Sequence, residues 1–311
     1  MRALAALAVL VLWTFAGAVR VDAASDITPL VDAAWVKAHT GQANVVVLDI
    51  RNKLGDGSED AYRQGHIPGA VYSDYLQAGW RADVDGVPGQ LPALADLESL
   101  VGNLGIGNDS HVVVVAGGVS ALDMGSATRV YWTLKVLGHD RVSILDGGYQ
   151  AYAADASNPV ETGWNAPAPR TFTAAFRPEL VADYRDVQAA AGTQTALLDM
   201  RPPEQYRGEK AHPAAKRAGT IPGAVSVPES EVTVDGGKFL DAESLRALIK
   251  STGVNVEGDA IAFCNTGHWA SLGWFAESEI LGNKNVRVYD GSMVDWSARS
   301  ELPIEQKSPS N

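Results

Sequence analysis

A chain of 311 residues with a single cysteine cannot close a disulfide within itself. It has no Cys-x-x-Cys pair, so dithiol exchange lacks a resolving thiol. Its six histidines (His39, His66, His111, His139, His212 and His268) are scattered, and no metal-ligand spacing emerges from them. Positive charge is also scarce: 25 Lys and Arg stand against 37 Asp and Glu, a net charge of −12. Nucleic acid is normally met by a basic patch, so this balance argues against such a partner. It provides no global steering for an anionic substrate either, which local groups would have to capture. No Gly-x-x-x-x-Gly-Lys loop is present to cradle phosphates, and nothing calls for an organic cofactor. Long apolar runs are missing too. Ala3 to Ala18 falls short of a comfortable membrane span of about 20 residues. With Met1-Arg2 before it and Ala16-Gly17-Ala18 and Val21-Asp22-Ala23 closing it, this stretch reads as a signal peptide over residues 1–23. The expectation is an exported, periplasmic protein without a membrane segment after cleavage. A lone cysteine suits that oxidising compartment.

What is present centres on that cysteine. Ala260-Ile261-Ala262-Phe263 is an apolar, strand-like run ending at Cys264, followed by Asn265-Thr266-Gly267-His268-Trp269-Ala270. A helical pattern begins near Ala270. This layout aims a thiol at loop N–H groups and a helix N-terminus, both of which favour the reactive thiolate. The alternative is a buried cysteine packed as a small hydrophobe.

The chain also reads as a repeat of two halves. Val45-Val46-Val47-Leu48-Asp49-Ile50-Arg51, followed by His66-Ile67-Pro68-Gly69-Ala70, has its counterpart in Ala196-Leu197-Leu198-Asp199-Met200-Arg201, followed by Thr220-Ile221-Pro222-Gly223-Ala224. The run His111–Ala116 matches Ala260–Cys264, and Val142–Gly148 matches Val286–Ser292. Repetition at this scale is a domain duplication, not a solenoid. Residues 25–155 form the expected first domain and 173–303 the second, joined by a proline- and glycine-containing linker over 156–172. Short buried strands alternating with helical patterns predict an α/β fold with a mainly parallel sheet in each half. Ligands bind beyond the carboxyl ends of such strands, where Cys264 lies.

These motifs resemble the tandem-domain rhodanese sulfurtransferases, the family of thiosulfate and 3-mercaptopyruvate sulfurtransferases. Tyr62-x-x-x-His66-Ile67-Pro68-Gly69-Ala70 is similar to the family's N-terminal signature. Val288-Tyr289-Asp290-Gly291-Ser292-Met293-Val294-Asp295-Trp296 is similar to its C-terminal one, with Met293 and Asp295 in place of Trp and Glu. The resemblance implies two tandem rhodanese-like domains with a cleft between them, and a catalytic cysteine in the second only. The first-half loop, Ala116 to Asp123, has no thiol. It further implies that Cys264 takes sulfane sulfur from thiosulfate or 3-mercaptopyruvate as a persulfide and passes it to cyanide, a small thiol or a protein thiol. The backbone from Asn265 to Ala270 would cradle the sulfur. Gly267 would supply the backbone freedom, and His268 is the one loop side chain able to carry charge. The hydroxyl of Thr266 and arginines of the second domain's long loop, Arg207 and Arg217, match the mercaptopyruvate type and are the expected substrate-binding residues. Asp199 and Arg201 are expected to pair structurally, and His66 and Thr220 to fix turns. A cysteine phosphatase would need Cys-x5-Arg, but Ala270 stands where that arginine belongs. A sulfur carrier with little turnover of its own is the second reading.

Overall fold

The computed structural model describes residues 27–307; the expected signal peptide lies outside them. In the first half the strands are β1 (Leu30–Val31), β2 (Val45–Asp49), β3 (Val71–Tyr72), the hairpin β4 (Ala82–Val84) and β5 (Val87–Gln90), β6 (His111–Val115) and β7 (Val142–Leu145). The second half has β8 (Val181–Ala182), β9 (Ala196–Asp199), β10 (Val225–Ser226), the hairpin β11 (Thr233–Val234) and β12 (Lys238–Phe239), β13 (Ala260–Phe263) and β14 (Val286–Tyr289). Two five-stranded parallel sheets result, ordered β1-β7-β6-β2-β3 and β8-β14-β13-β9-β10. The orders correspond strand for strand, as a duplication requires. β6 and β13 are the central strands, and every residue of both is buried. Helices cover both faces of such a sheet, which is why these strands read as unbroken apolar runs.

Repeated polar contacts hold the turns around each sheet. Arg51 pairs with Asp49 and donates to Gly65 O at 2.7 Å; Arg201 pairs with Asp199 and donates to Gly219 O at 2.9 Å. Each buried pair therefore ties a strand end to the turn just before His66 or Thr220. Thr220 Oγ1 donates to Asp199 Oδ2 at 2.6 Å, while the His66 ring stacks on Tyr62 and donates from Nδ1 to its carbonyl. Residues 156–172 hold no helix or strand beyond the Glu161 bridge to His66, and they run along the first half.

The halves share one core. A single cluster of buried apolar side chains includes Val112, Val114, Met124 and Trp132 from the first half and Leu272, Trp274 and Val286 from the second. The helices Ala121–Val136 and His268–Trp274 pack against each other, and Thr128 Oγ1 lies 2.8 Å from Ser271 Oγ. Almost every residue of Ala121–Val136 is buried, including Arg129, whose guanidinium pairs with Asp290 of the other half. A buried charge tolerates such a site only with a partner of this kind.

Candidate active site

Cys264 follows the last residue of β13, at the carboxyl end of the central strand. The helix after it begins at His268, two residues earlier than the sequence suggests, so only 264–267 form the loop. Gly267 sits at φ 74°, a left-handed conformation that admits the tight turn. A Cβ there would lie 2.3 Å from both Arg129 Nη1 and Asp290 Oδ1, so space as well as torsion demands glycine.

The backbone of this loop is clamped by the segment after β14. Met293 N donates to Cys264 O and Val294 N to Asn265 O, each at 3.0 Å. Ser292 Oγ accepts from Cys264 N at 3.0 Å and Gly267 N at 3.2 Å, donates to Tyr289 O at 2.8 Å, and lies 3.9 Å from Cys264 Sγ. The N–H groups of Asn265 and Thr266 have no acceptor among the described residues.

In front of Cys264 lies a cavity of about 190 Å³. Leu54, Leu76, Arg81 and Leu122 of the first half line it, together with His212, Asn265, Thr266, His268 and Trp269 of the second. It is an interdomain site, apolar on most sides, and no carboxylate among the described residues lines it. Two buried polar atoms in its wall, Asn265 Oδ1 and Trp269 Nε1, have no partner. Asn265 Nδ2 is occupied with Gln205 Oε1 at 2.8 Å. A larger surface hollow of about 900 Å³ on the first half is lined by Glu59, Asp60, Asp74 and Asp96 and contains no thiol.

His268 is buried and bridges the halves. Its Nε2 lies 2.7 Å from Leu122 O, which can only accept, so Nε2 carries the proton. Nδ1 then accepts from Tyr75 Oη at 2.8 Å. Burial, with the Arg81 charge nearby, pushes the imidazole down to about 3, so the ring stays neutral. The one loop side chain able to carry charge is thus held uncharged.

Comparison with known proteins gives the arrangement a family. A rhodanese-like domain matches residues 32–155 and again residues 182–299. The chain belongs to the rhodanese-like family. A protein of Mycolicibacterium smegmatis named “Putative thiosulfate sulfurtransferase” is 32% identical over 290 residues, spanning 89% of this chain and 97% of that protein. “Sulfur carrier protein TtuD” of Thermus thermophilus is 31% identical over 289 residues, spanning 88% of this chain and 95% of its own. Among solved structures, the 3-mercaptopyruvate sulfotransferase SseA of Escherichia coli superposes with a TM-score of 0.73 at 30% identity, over 85% of this chain and 98% of that one.

Within the second rhodanese-like domain, the two arginines expected to bind substrate lie elsewhere. Arg207 is held by Glu209, with Nε to Oε1 at 2.7 Å and Nη2 to Oε2 at 3.1 Å. Arg217 donates to the carbonyls of Ser297, Leu302 and Arg299 at 3.0, 3.0 and 2.6 Å, and so ties down the C-terminal segment. Neither lines the Cys264 cavity, which corrects their placement. The charge of Arg207 is matched by Glu209 beside it, and the donors of Arg217 are spent on backbone carbonyls. The cation that does face the cavity is Arg81, from the first rhodanese-like domain. It lies just before the β4–β5 hairpin, and its Nη2 donates to Thr266 O and Oγ1, both at 2.9 Å. The hydroxyl of Thr266 is thus engaged across the cleft. Sequence reasoning missed Arg81, Tyr75 and Ser292, because what matters in each is a contact with the Cys264 loop from a distant part of the chain.

Proposed function

We propose that this rhodanese-like protein is a sulfurtransferase that carries sulfur on Cys264 as a persulfide. The observation that supports this most directly is the chain's sole thiol at the carboxyl end of a central strand, on an interdomain cavity sized for a donor of a few heavy atoms. The named relatives point the same way. In the first half-reaction the Cys264 thiolate attacks the outer sulfur of thiosulfate; an S–S bond forms, the donor's S–S bond breaks, and sulfite leaves with the electron pair. With 3-mercaptopyruvate the C–S bond breaks instead, the carbon takes up a proton, and pyruvate leaves. In the second half-reaction cyanide or a thiol attacks the terminal sulfur and regenerates the thiolate. Two half-reactions on one covalent intermediate give ping-pong kinetics.

The test is turnover of thiosulfate and of 3-mercaptopyruvate with cyanide as acceptor. Turnover with at least one donor that vanishes in Cys264→Ser, with a mass gain of one sulfur atom on the wild-type chain after donor alone, is the expected result. The similarity to a protein named a sulfur carrier favours a second reading, in which Cys264 loads but hands sulfur on only to a partner protein thiol. Loading without cyanide turnover would select it. No loading by either donor overturns both. We also take the protein to be exported to the periplasm, on the strength of the N-terminal sequence pattern; no helix of the described residues is long and apolar enough to cross a membrane.

A further inference from the structure

The guanidinium of Arg81 has one arm to spare. Its Nε donates to Gly89 O at 3.2 Å and its Nη2 to Thr266, but Nη1 donates to nothing among the described residues. That nitrogen is not among the buried atoms left without a partner, so it remains open to solvent. No carboxylate lies within ion-pair distance of Arg81 among the described residues, although most other arginines here have one. Arg217, another arginine that lacks a carboxylate partner among the described residues, spends its donors on backbone carbonyls, whereas Arg81 keeps Nη1 free beside the thiol. The fold makes room for it. Gly89 has φ 83°, and a Cβ there would fall 1.9 Å from Arg81 Nη2. The hairpin carrying Gly89 is anchored on the second domain by Leu91 N, which donates to Asp290 Oδ2 at 2.6 Å, and within its own domain by Arg129, whose Nη2 donates to Gly89 O at 3.2 Å and whose Nη1 pairs with Asp290. The guanidinium is therefore fixed at the cavity wall by both domains.

The other charges around the cavity reinforce this. His268 is neutral, and burial together with Arg81 lowers the proton affinity of His212. Among the described residues that line the cavity, Arg81 is then the one full charge beside the thiol. We infer that Arg81, reaching over from the first domain, grips the anionic end of the sulfur donor through Nη1, the sulfonate of thiosulfate or the carboxylate of an α-keto acid thiol, and so selects anionic donors for Cys264. This inference rests on the sulfurtransferase reading, and it gives the catalytically silent domain a direct part in substrate choice. A guanidinium with two free-geometry donors suits an oxyanion better than a lysine's point charge.

The test separates the two readings by using reagents that need no sulfur chemistry. Cys264 is the only thiol, so its alkylation by iodoacetate, an anion, and by iodoacetamide, its neutral analogue, can be timed on the whole protein. A change in loop structure or thiol reactivity moves both rates together, whereas anion capture moves their ratio. Arg81→Gln is expected to lower the iodoacetate-to-iodoacetamide ratio about tenfold, the scale of one hydrogen bond to a charged group. Arg81→Lys should recover part of it, and added salt should shrink the wild-type ratio but not that of Arg81→Gln. Arg207→Gln should leave the ratio unchanged. In steady state, Arg81→Gln should raise KM for thiosulfate more than it lowers kcat. A ratio that stays constant in Arg81→Gln overturns the inference, as does a parallel fall of both rates, which would make Arg81 only a strut for Thr266. A shifted ratio in a protein with no sulfur transfer would leave anion capture standing and sink the sulfurtransferase reading instead.

Discussion

The same strand end is used twice in this chain, once with a thiol and once without, and the two loops differ by more than the cysteine. In the first domain, residues 116–120 separate β6 from the helix Ala121–Val136. In the second, only 264–267 separate β13 from the helix at His268. Counted from the helix start, the third position is Asp123 in one domain and Ala270 in the other. Asp123 turns back into its own loop: Oδ2 accepts from Gly118 N at 2.5 Å and Val119 N at 3.3 Å. The first domain has thus filled its amide cradle with an internal carboxylate. Ala270 has nothing to offer, and the amides of Asn265 and Thr266 stay unclaimed. The backbone clamp is unchanged between them: Tyr149 N and Gln150 N hold Ala116 O and Gly117 O as Met293 N and Val294 N hold Cys264 O and Asn265 O. Duplication supplied one scaffold, and side chains decided which copy stayed open.

The largest effect expected from breaking this comparison is a failed transplant. Cys264→Ser should cut sulfur transfer by on the order of a thousandfold or more, since the covalent route is gone. Adding Ala116→Cys puts a thiol at the matching strand end of the first domain, yet turnover should stay at that floor. The Asp123 carboxylate holds the amides that would receive the sulfur, and its charge opposes a second anion there. Adding Asp123→Ala as a third change should speed alkylation of the introduced thiol by iodoacetamide. Recovery of turnover in the two-fold variant would show that a filled cradle is no obstacle.

The helices after the two loops give the next contrast. Ala121–Val136 is α-helical throughout, whereas the second domain's helix loosens into a π-helical segment, Phe275–Ile280. At the position matching Val130 lies Glu277, 1% exposed, with neither carboxylate oxygen hydrogen-bonded. Burial pushes this carboxyl up from 4.5 to about 7. The folded state then keeps a proton that the unfolded chain gives up above 4.5, so stability present at low pH is lost as pH rises through 7. Glu277→Gln should raise the melting temperature at pH 8, by the equivalent of up to about 3 kcal/mol, and hardly at all at pH 4. An equal gain at both pH values would mean the carboxyl does not titrate in this window.

Much of this was legible in the sequence, and the limits are physical. Strand ends, the repeat, the Asp-x-Arg pairs and the positive-φ glycine at 267 follow from local patterns, because periodicity and turn chemistry act over a few residues. Arg81 and Tyr75 were not legible, since each acts across the interface at a residue more than 180 positions away. The resemblance points to Arg207 and Arg217 as substrate-binding, but sequence does not reveal whether a guanidinium faces a cavity or a ring of carbonyls. Arg217 faces the carbonyls. The state of His268 was not legible for a related reason: its neutrality comes from burial under Leu122 and Tyr75 of the other domain.

The smallest effect concerns the residue that holds the open loop in shape. Ser292 adopts φ 49°, a conformation costly for a side-chain-bearing residue, while its counterpart in the first domain is Gly148 at φ 59°. The second domain therefore keeps serine where glycine would be easier. Its hydroxyl is the acceptor for two amides of the thiol loop, whereas in the first domain the Asp123 carboxylate accepts from two loop amides instead. Ser292→Ala retains the strain and orphans both amides, which should cost about 2 kcal/mol in urea unfolding. Ser292→Gly orphans the same amides but relieves the torsion, so it should recover about 1 kcal/mol of that loss. If the hydroxyl positions the loop for chemistry, both variants should lower kcat to a similar degree with KM little changed, despite their different stabilities. A glycine variant as active as wild type would mean the clamp from Met293 and Val294 suffices, and the two loops would then differ only in thiol and plug.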